Sequence, residues 1–139
     1  MLDFEKIEEG IFLARTRSER KWECAGLAVR GNGGCALIDC NFTAGEARQL
    51  LEKLGAIPDA YFISHFHLDH ANNVKSIEQL GIPVYCPRPE HDFPMDLDRF
   101  LAANGSYDYG VAPLMKEFIY NGLGFRELDS VAPFSPGGE

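Results

Sequence analysis

The chain is predicted to be α/β, built on a mixed sheet, and three observations predict it. Apolar runs short enough for strands alternate with helix-period segments over residues 35–86, and strand–helix–strand–helix–strand order signals parallel βαβ units. Upstream, the glycine-rich break Gly31-Asn-Gly-Gly34 separates two apolar runs, which predicts an antiparallel hairpin. The whole chain has 139 residues, 45% hydrophobic and 24% charged, a balance that suits one domain with a real core.

Taken in order, Phe4–Glu9 and Ile11–Arg17 read as short strands around a Glu9-Gly10 turn. The basic stretch from Arg15 through Arg17, Arg20 and Lys21 reads as a solvated loop, with an anion-binding rim as the lesser reading. Cys24–Arg30 and Cys35–Asp39 are the arms of the predicted hairpin. Its glycines do not read as a phosphate cradle, because neither a Lys-Ser/Thr pair nor a helix follows them. Thr43 and Glu46 stand where a capping box would start a helix, Ala47, Leu50, Leu51 and Leu54 form its buried stripe, and Gly55 ends it.

Pro58-Asp59 leads into a strand over 60–63. A second helix is predicted over about 71–80, burying Val74, Ile77 and Leu80 and stopping at Gly81. Ile82–Cys86 is the next strand, with Pro83 pointing to an edge or a strand start. Pro87–Pro94 reads as a connection, followed by helices near Asp96–Ala103 and Val111–Asn121. The aromatics Phe93, Phe100, Tyr107, Tyr109, Phe118, Tyr120 and Phe125 are expected to pack on the sheet, or alternatively to rim a substrate pocket. Pro133–Glu139 reads as a turn-rich tail leading into further structure.

Charge and composition exclude several functions. A net charge of −8 opposes binding to a polyphosphate backbone, so no nucleic-acid partner is expected. No run approaches the roughly 18 apolar residues of a membrane span, and the acidic Met1–Glu5 start does not look like a secretory leader. Cys24, Cys35, Cys40 and Cys86 include no CxxC pair and lie in apolar runs, as buried thiols of a reducing compartment do. A cytoplasmic location follows from that reading, and a Cys24–Cys40 bridge is the alternative.

The chemistry concentrates in His65-Phe-His-Leu-Asp-His70, where three imidazoles and a carboxylate follow an apolar strand. Residues i and i+2 of a strand share a face, so His65 and His67 can address one ion. Asp69 and His70, redirected as a helix begins, can address a second. Zinc takes His nitrogen and Asp oxygen ligands, and paired catalytic ions sit about 3.5–4 Å apart. Asp69 also suits the N-cap of the following helix. A polar loop with incidental histidines is the bland alternative, and four ligand-type residues at this spacing argue against it.

His65, His67, Asp69 and His70 together match the His-x-His-x-Asp-His hallmark, and the segment resembles that of the metallo-β-lactamase-fold hydrolases. The resemblance implies one βα half of a four-layer αβ/βα sandwich, with helices on one sheet face and residues 1–139 forming a single truncated domain. It makes His65, His67, Asp69 and His70 metal ligands, Asp69 catalytic as well, and Asp39 a supporting residue behind them. Ala71-Asn72-Asn73 stands where many members carry a glycine pair or Gly-Asn.

The implied cofactor is zinc, two ions in a complete site, with iron or manganese suiting similar ligands. The implied reaction is attack by metal-activated hydroxide on an ester, thioester or lactone bond of a small-molecule substrate; the metal lowers the pKa of a bound water from about 15.7 towards about 7. Family members draw their remaining ligands from a second half, and no histidine follows His91 here. His91 itself is expected at the surface, with closure of the site as a minor alternative. The competing expectation is an inactive βα module with an incomplete metal site. In either case the sheet face left open should be covered by a second copy or a complementary half.

Overall fold

The expected hairpin forms at Asn32-Gly33 between strands Gly26–Gly31 (β3) and Gly34–Ile38 (β4), paired from Leu27↔Ile38 to Gly31↔Gly34. Gly34 is required there: its φ is 150°, and a Cβ would lie 2.0 Å from Asp59 Oδ2, which accepts the Cys35 N–H at 2.9 Å. The computed structural model describes residues 2–16, 25–135 and 137. Cys24, Arg17, Arg20 and Lys21 lie outside the described residues, so the bridge and basic-loop readings concern a segment of which nothing is described.

Leu2–Glu8 (β1) and Ile11–Thr16 (β2) precede the hairpin and pair antiparallel, as β2 does with β3. Ala60–Phe62 (β5), Val84–Pro87 (β6) and Ala132–Phe134 (β7) then add in parallel to β4. The result is a seven-stranded mixed sheet in sequential order, an α/β fold.

Ala44–Leu54 (α1) links β4 to β5. It starts where Thr43 Oγ1 accepts the Glu46 N–H at 3.4 Å and ends at Gly55 in the left-handed conformation, φ 66°. Ala47, Leu50 and Leu54 are buried on the sheet side. Arg30 reaches from the sheet to the Leu54 carbonyl at 2.8 Å.

Between β5 and β6, the single helix expected over 71–80 is instead two short ones, Leu68–Ala71 (α2) and Lys75–Gln79 (α3), separated by a turn. Val74 and Ile77 are buried as expected, but Leu80 is 36% exposed. Pro83 sits just before β6, an interior strand, and its carbonyl accepts the Tyr61 N–H at 2.8 Å.

Leu97–Ala103 (α4) is capped by Asp96, and Ala112–Glu117 (α5) continues into a π-helical turn over Phe118–Gly122. The expected tail contains β7, an edge strand, and an edge tolerates Pro133 without its N–H.

Packing is one-sided. Ala14, Ala28, Leu37, Tyr61, Val84 and Cys86 share one sheet face by register and are buried under the helices. On the other face, Leu13, Leu27, Ile38, Phe62 and Tyr85 lie side by side across five strands and remain only partly covered. Phe66, Phe93, Phe100 and Phe125 stack edge to face. Tyr107, Tyr109 and Phe118 stay exposed. No helix among the described residues is long and apolar enough to cross a membrane.

Candidate metal centre

Two parallel strands, β4 and β5, end side by side, and the chain turns sharply after each. After β4, Asp39 takes a φ of 53°, the one positive value at a non-glycine position among the described residues. Asp tolerates that conformation better than most residues, and here it aims the carboxylate at the turn that follows β5. Asp39 Oδ1 accepts the Ser64 N–H at 2.9 Å and Oδ2 accepts the Ser64 hydroxyl. Its Oδ2 is also 3.1 Å from His70 Nδ1. Both side chains are largely buried, 12% and 18% exposed, so the pair is shielded from water. A carboxylate on Nδ1 fixes the imidazole's orientation and leaves Nε2 as its donor atom.

The three motif imidazoles gather above this anchor. The His65 ring centroid lies 4.3 Å from that of His70 and 5.7 Å from that of His67. His65 Nδ1 is 3.1 Å from Ser64 Oγ, which ties it to the same network. Asp69 stands between the other two, with Oδ2 3.6 Å from His70 Nε2 and Oδ1 3.2 Å from His67 Nδ1. Asp69 and His70 approach each other, while His65 lies nearer His70 than His67. Asp69 is not the helix N-cap: His67 holds that place in α2 without a side-chain cap, and Asp69 lies in the first turn.

Among the described residues, no group of three or more His, Cys, Asp or Glu side chains stands ready to hold a metal ion. The donors do fit one in a different respect. Asp69 Oδ1 is buried and makes no hydrogen bond, although His67 Nδ1 lies 3.2 Å away. A buried carboxylate oxygen without a donor is costly unless a cation compensates it. His91 is turned elsewhere, with Nε2 3.1 Å from Asp92 Oδ1 and Nδ1 3.1 Å from the Arg88 carbonyl.

Two further residues brace the motif and carried no signal as site residues in the sequence. Glu90, in the short turn after β6, accepts the Phe66 N–H at 2.9 Å. Asn41 is fully buried and bonds across to the α2 segment, with Nδ2 2.7 Å from the Asp69 carbonyl and Oδ1 accepting the Asn73 N–H at 2.7 Å. Its place two residues after Asp39 is the only sequence hint. Burial pushes the Cys86 thiol up to about 12 and raises that of Cys35.

Comparison with known proteins bears on this arrangement. No curated protein matches the chain. Among solved structures it is similar to the metallo-beta-lactamase FIM-1 from Pseudomonas aeruginosa, at 20% identity over 66% of this chain and 44% of that one, TM-score 0.56. It is similar to DIM-1 metallo-beta-lactamase at 23% identity, covering 74% and 46% of the two chains, TM-score 0.58. A metallo-beta-lactamase from Pontibacter korlensis gives 19% identity over 66% and 46%, TM-score 0.57. The chain therefore spans under half the length of these proteins, and at such identities the likeness establishes the fold alone. The profile of the Metallo-beta-lactamase superfamily, however, matches residues 24–137, taking in the Asp39 turn, the histidine segment and every element between β3 and β7. On that match the chain belongs to the metallo-beta-lactamase superfamily.

Proposed function

We propose that the chain carries the first half of a zinc-dependent hydrolase site, acting on an ester, thioester or lactone bond of a small molecule once the site is completed. The observation that carries this reading is the buried Asp69 Oδ1, which makes no hydrogen bond, on a carboxylate that faces the His67 and His70 imidazoles, the latter held by Asp39. His65, His67, Asp69 and His70 would hold the ions, two in a complete site. When bound, zinc acidifies water and polarises the oxygen of the bond under attack. Asp39 keeps the His70 Nδ1 side occupied, so Nε2 faces the site beside Asp69 Oδ2. Asp69 serves both as ligand and as the residue that orients the attacking water.

FIM-1 is described in a mono-zinc form, which makes zinc the first metal to test, ahead of iron and manganese. The buried thiols suit a reducing cytoplasm, and the charge of −8 favours a small substrate over nucleic acid.

Zinc titration with elemental analysis, followed by thioester and lactone panels, tests the reading. Stoichiometric zinc is expected where the site is completed, and the hydrolysis that then appears is abolished by His67→Ala and by Asp69→Ala. A folded protein that takes up no zinc overturns it.

The half-covered row Leu13, Leu27, Ile38, Phe62 and Tyr85 favours a second reading, a βα module that self-associates or binds a complementary half and holds metal weakly. Weak zinc uptake together with stable association would select it.

A further inference from the structure

Asn41 stands outside the proposed ligand set, yet its amide occupies a peculiar place. In an uninterrupted α-helix the Asp69 carbonyl would accept the Asn73 N–H, four residues on. Here the Asn41 side chain lies between those two groups. Its Nδ2 is 2.7 Å from the Asp69 carbonyl, and its Oδ1 accepts the Asn73 N–H at 2.7 Å. The orientation of the amide is fixed by its neighbours, since a main-chain N–H can only donate and a main-chain carbonyl can only accept. Nδ2 also reaches Asn72 Oδ1 at 2.6 Å, and Asn73 Nδ2 reaches back to the Asn41 carbonyl at 3.5 Å.

We infer that Asn41 is a positioning residue for the metal centre: its amide replaces one rung of the helix ladder and so sets where Asp69 and His70 point. Side-chain insertion into the i→i−4 ladder is a known cause of helix breaks. It explains why α2 and α3 are separate although the apolar spacing of 71–80 predicts one helix. The break follows Ala71, one residue beyond His70. Asp69 and His70 consequently sit on a single turn, α2, whose trajectory is set from Asn41 and whose His70 ring is set from Asp39, two residues earlier in the same loop. One short segment after β4 therefore aims both residues.

The inference rests on the metal-site reading for its purpose but not for its geometry, and its test keeps the two apart. In the metal-free wild-type chain, slow hydrogen exchange is expected at the Asn73 N–H and at the Asn41 side-chain amide. Exchange at the rate of an open loop at both positions overturns the inference without any variant. Imidazole 15N–1H spectra supply the second readout. Asn41→Ala frees the two main-chain groups to bond each other directly, and Asn41→Asp, equal in size, loses the donor. Both are expected to move the His70 resonances while leaving those of His91 in place, with circular dichroism confirming the fold. Unchanged His70 signals in a folded variant overturn the inference. Zinc competition then links it to the site, with an expected loss of roughly 10–100-fold in affinity for either variant. A wild-type chain that takes no zinc refutes the hydrolase reading, while the exchange and imidazole data still decide the role of Asn41.

Discussion

Asp39 concentrates three tasks in one side chain: it adopts a positive φ, receives both donors of Ser64 and holds His70. Asn at this position keeps the backbone tolerance and one acceptor oxygen, but loses the charge that steadies an imidazole bound to a cation. Asp39→Asn is accordingly expected to weaken zinc binding by roughly 10–100-fold while costing about 1 kcal/mol of stability. A chelator competition and a urea melt measure the two effects separately. Equal zinc affinity in the variant would remove Asp39 from the site. The ligand candidates and Asp39 were legible in the sequence because ligand chemistry clusters within a few residues and follows apolar strands. Ser64, Asn41 and Glu90 were not, because each matters through a contact that only the folded chain creates; Asn41 meets Asn73 across 32 residues. The unbonded oxygen of Asp69 is equally a property of packing, with no trace in residue order.

Elements with their own stop and start signals were read correctly, and those defined by a neighbour were not. The α1 boundaries follow from Thr43 and Gly55, local signals that need no tertiary partner. The split between α2 and α3 is imposed from Asn41, and β7 has only three residues with a proline in the middle, too short to show strand periodicity. The edge strand is nevertheless held by a specific strut. Glu78 of α3 takes Lys75 Nζ at 2.8 Å and the main-chain N–H groups of Asp129 and Ser130 at 2.9 and 3.1 Å, fixing the approach to β7.

Burial of Glu78 works against its charge, but the hydrogen bonds from Lys75, Asp129 and Ser130 outweigh it and hold the carboxyl below its ordinary 4.5. A depressed carboxyl stabilises the fold fully above its unfolded-state pKa, and that contribution fades as pH falls through the folded value. Glu78→Gln is therefore expected to lose about 1–3 kcal/mol at neutral pH. Its stability should also depend less on pH on the acid side than that of the wild type. Urea unfolding over a pH series reads both, and an identical acid limb in the two proteins would remove Glu78 from the account.

At the scale of the whole molecule, the one-sided core poses the question of what meets the open face. The row Leu13–Leu27–Ile38–Phe62–Tyr85 is continued by Ile11, Val29 and Ala36 on the same face, with Val29 37% exposed. Strands about 4.8 Å apart make a seven-stranded face roughly 29 Å wide. With strands reaching about 17 Å along it, the footprint is about 500 Å² before side-chain relief, against roughly 800 Å² per partner in a standard interface. Association through this face is thus expected to depend on concentration rather than to be permanent. Edge pairing is a poorer route, since β1 presents Glu5, Lys6 and Glu8 to solvent. A charge of −8 on each copy opposes the encounter, so salt should strengthen an apolar dimer by screening, whereas it would weaken one held by ion pairs. Sedimentation velocity between low and high micromolar concentration, at two ionic strengths, distinguishes these cases. Leu27→Lys places a charge within the row without touching the helix-covered core, and it should give a folded monomer under all conditions. A wild-type chain that sediments as a monomer throughout, or a Leu27→Lys variant that associates as the wild type does, would mean that this face is not where two copies meet.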